Sequence, residues 1–98
     1  MPFEILLSPE AIADIDDGFE YYNSKSMGLG FEFTDTIHLY FSKISEMPTA
    51  SAVRYDNVRV KPISIFPYTI HFVIDEPENS VIILRIFNNW QKPFWEAG

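Results

Sequence analysis

The sequence predicts an α+β domain of order β-α-α-β-β-β, in which a two-helix hairpin packs on one face of an antiparallel sheet. Three observations predict it. Apolar residues recur every three to four positions between Ser8 and Met47, the period of a helix. The run Asn23 to Gly30 (NSKSMGLG) interrupts that pattern with turn-forming residues. Beyond Pro48 the pattern changes to alternation, the period of a strand.

Each element has its own signal. Phe3 to Leu7 alternates over five residues and reads as a short strand. Ser8-Pro9-Glu10 is a helix start: Ser8 caps free amides, Pro9 suits the first helical position, and Glu10 complements the positive helix end. The first helix runs to about Tyr22, with Ile12, Ile15, Phe19 and Tyr22 as its apolar stripe. Asp14, Asp16, Asp17 and Glu20 read as its solvated face. The second helix spans about Leu29 to Met47, with Phe33, Ile37, Tyr40, Phe41, Ile44 and Met47 on one face, and Pro48 ends it. Three strands follow: Asn57 to Ile65, with Pro62 marking an edge or bulge, then Pro67 to Asp75, then Ser80 to Phe87. Glu76 to Asn79 is the hairpin turn before the last.

Composition bounds the function. At 98 residues the chain is expected to form a single domain over residues 1–98. With 47% apolar and 16% aromatic residues it is not of disordered composition. The absence of cysteine excludes disulfides and thiolate metal sites, and His38 and His71 are too far apart in sequence to form a ligand pair. No metal and no cofactor are expected. The start, MPFEILLSPEA, is not a secretory signal, and no run reaches the roughly 18 apolar residues of a membrane span. A cytoplasmic protein with no membrane partner is the expectation. A net charge of −7 argues against holding nucleic acid by bulk electrostatics, leaving only a local basic patch for direct contact.

Alternation assigns that patch. If Val58, Val60, Ile70, Phe72, Ile74, Ile82, Leu84 and Ile86 face the helices, then Arg59, Lys61, Thr69, His71 and Arg85 share the open face. Arg85 interrupts the apolar run VIILRIF, so it needs solvent, an anion or a carboxylate. Arg59, Lys61, His71 and Arg85 are therefore the candidates for phosphate chemistry, and an ion pair is the competing role for Arg85. Trp90, Phe94 and Trp95 cluster in a tail too short to bury them all, which marks them as partner-binding candidates.

The chain resembles the RelE/ParE toxin superfamily over nearly its whole length. The residues that carry the likeness are LSPEAIADIDDGFEYYNSKSMGLGFEF near the start and VRYDNVRVKPISIFPYTIHFVID later, then an aliphatic strand leading to Pro93 and Trp95. The resemblance implies two helices on a curved antiparallel sheet and a co-produced antitoxin that neutralises the protein. Members divide by target, with RelE-like ones cleaving messenger RNA in the ribosome and ParE-like ones inhibiting DNA gyrase. This sequence departs from the pattern late: Asn88 stands where many relatives carry a His, and Gln91 where an Arg is common. Neither exchanges a proton nor neutralises a phosphate at neutral pH. Three functions stay open: a ParE-like toxin that binds gyrase without chemistry, a metal-independent ribosome-dependent endoribonuclease, and an inactive relative kept for antitoxin binding. The departures rank the nuclease below the gyrase inhibitor.

Overall fold

The computed structural model describes residues 2–90. Its elements are β1 (Glu4–Leu7), α1 (Pro9–Lys25), α2 (Leu29–Glu46), a 3-10 turn (Pro48–Ala50), β2 (Val53–Tyr55), β3 (Val58–Pro62), β4 (Tyr68–Asp75) and β5 (Ser80–Asn88). The expected order holds, with β2 added at the front of the sheet as a strand too short to show in the sequence. The strands lie in the order β1-β5-β4-β3-β2. The four from β2 to β5 form an antiparallel meander, and β1 joins β5 in parallel, Glu4 opposite Ser80 and Leu7 opposite Ile83.

The helix ends follow from local chemistry. Ser8 Oγ accepts from the Ala11 amide at 3.0 Å and donates to the Leu84 carbonyl at 2.8 Å, so the cap of α1 also fastens it to the sheet. At the other end, Gly28 takes a left-handed φ of 89° and brings no side chain. Asn23 supplies the missing cap, its Oδ1 accepting from Gly28 N and Gly30 N at 3.0 Å each. Pro48 closes α2 as expected, and Met47, placed on the apolar face by its spacing, is instead exposed at the cap.

The helices approach closely. On α1 the buried positions are Ala11 and Gly18, while Ile12 points outward. The stripe is thus rotated by about one position from the expected one. Small residues win because a Cβ at position 18 would overlap the fully buried ring of Phe33 on α2. Phe33, Ile37, Ile70, Phe72, Val81 and Ile83 are sealed between the helices and the sheet. Each large one stabilises the fold by about 2 kcal/mol through burial alone.

Candidate functional site

Register decides which face each candidate occupies, because residues directly opposite across an antiparallel pair share a face. Arg59 pairs with Phe72 and Lys61 with Ile70, both core residues beneath the helices. Arg59 and Lys61 therefore lie on the helix-facing side, and the expectation that they join His71 on the open face is wrong. Val60, opposite His71, takes that place. Val58 and Val60 are buried without belonging to the main core, so the open face has apolar cover of its own. Alternation fixes that two residue sets are opposed; it does not say which set faces the helices when both faces carry apolar residues. At the sheet margin the long stems of Arg59 and Lys61 reach past the core. Arg59 Nη1 donates to the Ser51 carbonyl at 2.7 Å, and Lys61 Nζ lies 5.8 Å from the Tyr40 ring centre on α2.

In β5 the partner of His71 is Arg85 and that of Phe72 is Ile83, so Leu84 is the extra residue of a bulge. The bulge turns Val81 and Ile83 into the core, against the expectation that Ile82 and Leu84 face the helices, and returns Arg85 to the row of His71. Its side chain, however, bends round the strand edge to Asp14 of α1. Nε donates to Oδ2 at 2.7 Å and Nη2 to Oδ1 at 3.1 Å, a two-point clamp. The same Oδ2 accepts the Ile86 amide at 2.9 Å. The hydrogen bonds to Asp14 hold the guanidinium above its usual pKa. Asp14 is thus not part of the solvated acidic face: its side chain is only 16% exposed. Its spacing from Ala11 and Gly18 is the signal that places it on the buried stripe.

His71 is fully buried. Its Nε2 lies 2.8 Å from Thr69 Oγ1, and its Nδ1 lies 3.0 Å from the Tyr55 hydroxyl. Thr69 Oγ1 also donates to Asn89 Oδ1 at 3.2 Å, which extends the network to the end of β5. Both ring nitrogens are engaged in the neutral form. Burial, then the nearby Arg85 and Arg54 charges, push the imidazole pKa down to about 4, with Asp14 opposing. Phe87 packs beside it, ring centres 5.8 Å apart. Tyr55 and Asn89, which complete this network, have no sequence signal of their own, because β2 and the end of β5 are brought to His71 only by the sheet.

The other distinctive surface is a groove of about 640 Å³ at the C-terminal end of α1, lined by Tyr21, Tyr22, Leu29, Phe66, Asn88 and Trp90 among others. Ile65 stands at its rim, 88% exposed, with a φ of 74°. The Phe66 amide donates to the Ser64 carbonyl at 2.8 Å, so Ile65 is the centre of a γ-turn of the rare positive-φ kind. A β-branched residue held there and left in solvent is a strained position, of the sort that gathers where a surface is used. Trp90 is 82% exposed at the same groove. Asn88 sits opposite Tyr68, its Oδ1 accepting the Trp90 amide at 2.9 Å. Phe94 and Trp95, with Gln91, lie outside the described residues. Among the described residues no group of His, Asp and Glu is placed to hold a metal, and no helix is long and apolar enough to cross a membrane.

No protein-family model matches the sequence, and no curated protein matches it. Solved structures do match in three dimensions. A chain of the chromosomal ParDE TA system from P. aeruginosa superposes with a TM-score of 0.76 at 18% identity, covering 88% of this chain and 95% of that one. A chain of the toxin-antitoxin complex RelBE2 from Mycobacterium tuberculosis does so with a TM-score of 0.65 at 14% identity, over 90% and 99%. The shared architecture is nearly end to end in both, and the fold of this chain is the RelE/ParE-like fold.

Proposed function

We propose that this protein is the toxin of a type II toxin–antitoxin pair and that it acts by gripping a protein target, DNA gyrase being the first candidate, rather than by cutting RNA in the ribosome. The fold supports the toxin assignment. The observation that carries the mechanism is that the open face holds no poised acid–base group among the described residues. Cleavage through a 2′-hydroxyl needs a base of suitable pKa within reach and a cation at the phosphate. His71 is buried, neutral and engaged at both nitrogens, Arg85 is clamped by Asp14, and Arg59 and Lys61 lie on the other side of the sheet.

The groove beside Trp90 and Ile65 fits the antitoxin. Its walls are aromatic and aliphatic, and Asp17 lies in an adjoining groove that shares Tyr21 and Asn88 with it. A partner segment with a large apolar anchor and basic flanks complements that surface.

The test is induced expression in bacterial cytoplasm, with and without the neighbouring antitoxin frame, followed by supercoiling and ribosome-bound messenger assays. Growth arrest with lost supercoiling and intact messenger is expected. Codon-specific cleavage that stops in His71→Ala would overturn the reading. Trp90→Ala should weaken antitoxin co-purification about thirtyfold, the loss typical of a buried aromatic anchor.

A further inference from the structure

The chain carries fourteen carboxylates against seven Lys and Arg, so every cation has acids in excess to pair with. Among the described residues the one ion pair is Arg85 with Asp14. Lys43, Arg59 and Lys61 instead gather at the corner where the end of α2 meets β3, with no carboxylate of the described residues in ion-pair range. Lys25 and Arg54 are likewise without an ion pair among the described residues. What sets this corner apart is that three cations share it, an arrangement that points to a charge supplied from outside.

The corner has a defined shape. Lys43 comes from the last turn of α2 and Lys61 from the middle of β3, and both ammonium groups lie over one ring. Lys43 Nζ is 4.8 Å and Lys61 Nζ 5.8 Å from the centre of Tyr40. Between the two lysines opens a cleft of about 60 Å³, floored by Ile44, Ala50 and Ser51. A space of that size admits a few waters, and hence one tetrahedral phosphoryl group, with the remainder of its ligand lying outside in solvent. Arg59 stiffens the floor through its 2.7 Å bond to the Ser51 carbonyl and brings a third positive charge behind it. The Tyr40 hydroxyl, hydrogen-bonded to Ser64 and near both lysines, is held below its usual pKa.

We propose that this cleft binds a compact phosphoryl oxyanion, a phosphate ester or pyrophosphate, between Lys43 and Lys61. Two ammonium groups suit a phosphoryl group with two or more negative charges, and their mutual repulsion is relieved when it enters. The ligand is compact because the patch is small. Glu46 follows Lys43 by three residues, and the net charge of −7 repels any polyanion that extends beyond it. The site is separate from the groove at Trp90, so it stands or falls independently of the toxin reading.

The test is a titration of the full chain followed by amide and lysine ammonium NMR at low salt. Pyrophosphate, orthophosphate, ADP and oligothymidylate are the probes. Saturable shifts at Lys43, Ser51 and Lys61 are expected with pyrophosphate. Affinity should fall about tenfold in Lys43→Gln or Lys61→Gln, equivalent to about 1.4 kcal/mol. Lys43→Arg should retain binding, and Lys25→Gln on α1 should leave it unchanged. Tighter binding of ADP than of pyrophosphate would support the site and assign it to a nucleotide. No saturable shift, or an equal loss in Lys25→Gln, would overturn it. So would oligothymidylate binding more tightly than pyrophosphate through the same lysines.

Discussion

Arg85 and Arg59 stand two strands apart in one sheet, and their surroundings are opposite. Arg85 meets a carboxylate from α1 that grips it at two points and also caps the Ile86 amide. Among the described residues Arg59 meets a backbone carbonyl and no carboxylate, with Lys61 two residues along and Lys43 across the cleft. The difference teaches that net charge says little about local charge. One side of an acidic molecule uses an acid to seal a strand edge, while the other keeps its cations open.

Breaking the sealed side should have the largest effect. Asp14→Ala leaves a guanidinium and a strand amide without their acceptor in a partly buried setting, and is expected to cost about 3 kcal/mol. Urea denaturation checks it. A loss below about 0.5 kcal/mol would place this clamp with ordinary surface ion pairs.

The next effect is on pH. The folded-state pKa of His71, about 4, lies below the ordinary value of 6.5. The unfolded chain therefore takes up a proton first. The stabilisation is complete above about pH 6.5, declines as pH falls and is exhausted near pH 4, a span of roughly 3 kcal/mol. His71→Phe should remove that portion of the acid limb, so the stability difference between the two proteins narrows on acidification. A constant difference from pH 7 to pH 4 would contradict the buried neutral imidazole.

Arg59→Ala removes one hydrogen bond to a carbonyl and relieves repulsion from Lys61, so a loss of about 1 kcal/mol is expected, well short of Asp14→Ala. A loss as large as that of Asp14→Ala would erase the contrast. Ile65→Asn has the opposite sign. Asn accepts positive φ far better than a β-branched residue, and the exposed Ile65 side chain has little burial to lose. A gain of about 1 kcal/mol in thermal or urea stability is expected, with weaker co-purification of the antitoxin proposed above. An unchanged melting point would show that the turn is unstrained.

Much of this was legible in the residues. Ser8-Pro9, the α2 face and Pro48 carry their own start and stop chemistry, and the structure agrees within a few residues. The site was less legible, for two physical reasons. Alternation gives opposed sets without a sign, and β3 is apolar on the open side because Val58 and Val60 are buried there. A bulge is one residue that nothing local announces; Leu84 resets the faces of β5 and brings Arg85 opposite His71. Asp14 could be placed by its spacing from Ala11 and Gly18, but its partner on β5 lies 71 residues away and only the assembled sheet shows it.

The parallel pairing of β1 with β5 has a consequence in time. Glu4 to Leu7 are made first, and their neighbours Ser80 to Ile83 are made more than seventy residues later. At roughly 5–20 residues per second, the first strand and the α1–α2 hairpin wait several seconds for the strand that completes the sheet. During that wait Phe33 and Ile37 have no sheet to cover them, and Asp14 has no Arg85. The groove and the His71 network both use β5 as a wall, so neither exists on a partly synthesised chain. Any surface that uses β5 as a wall is therefore absent until synthesis has passed Asn88.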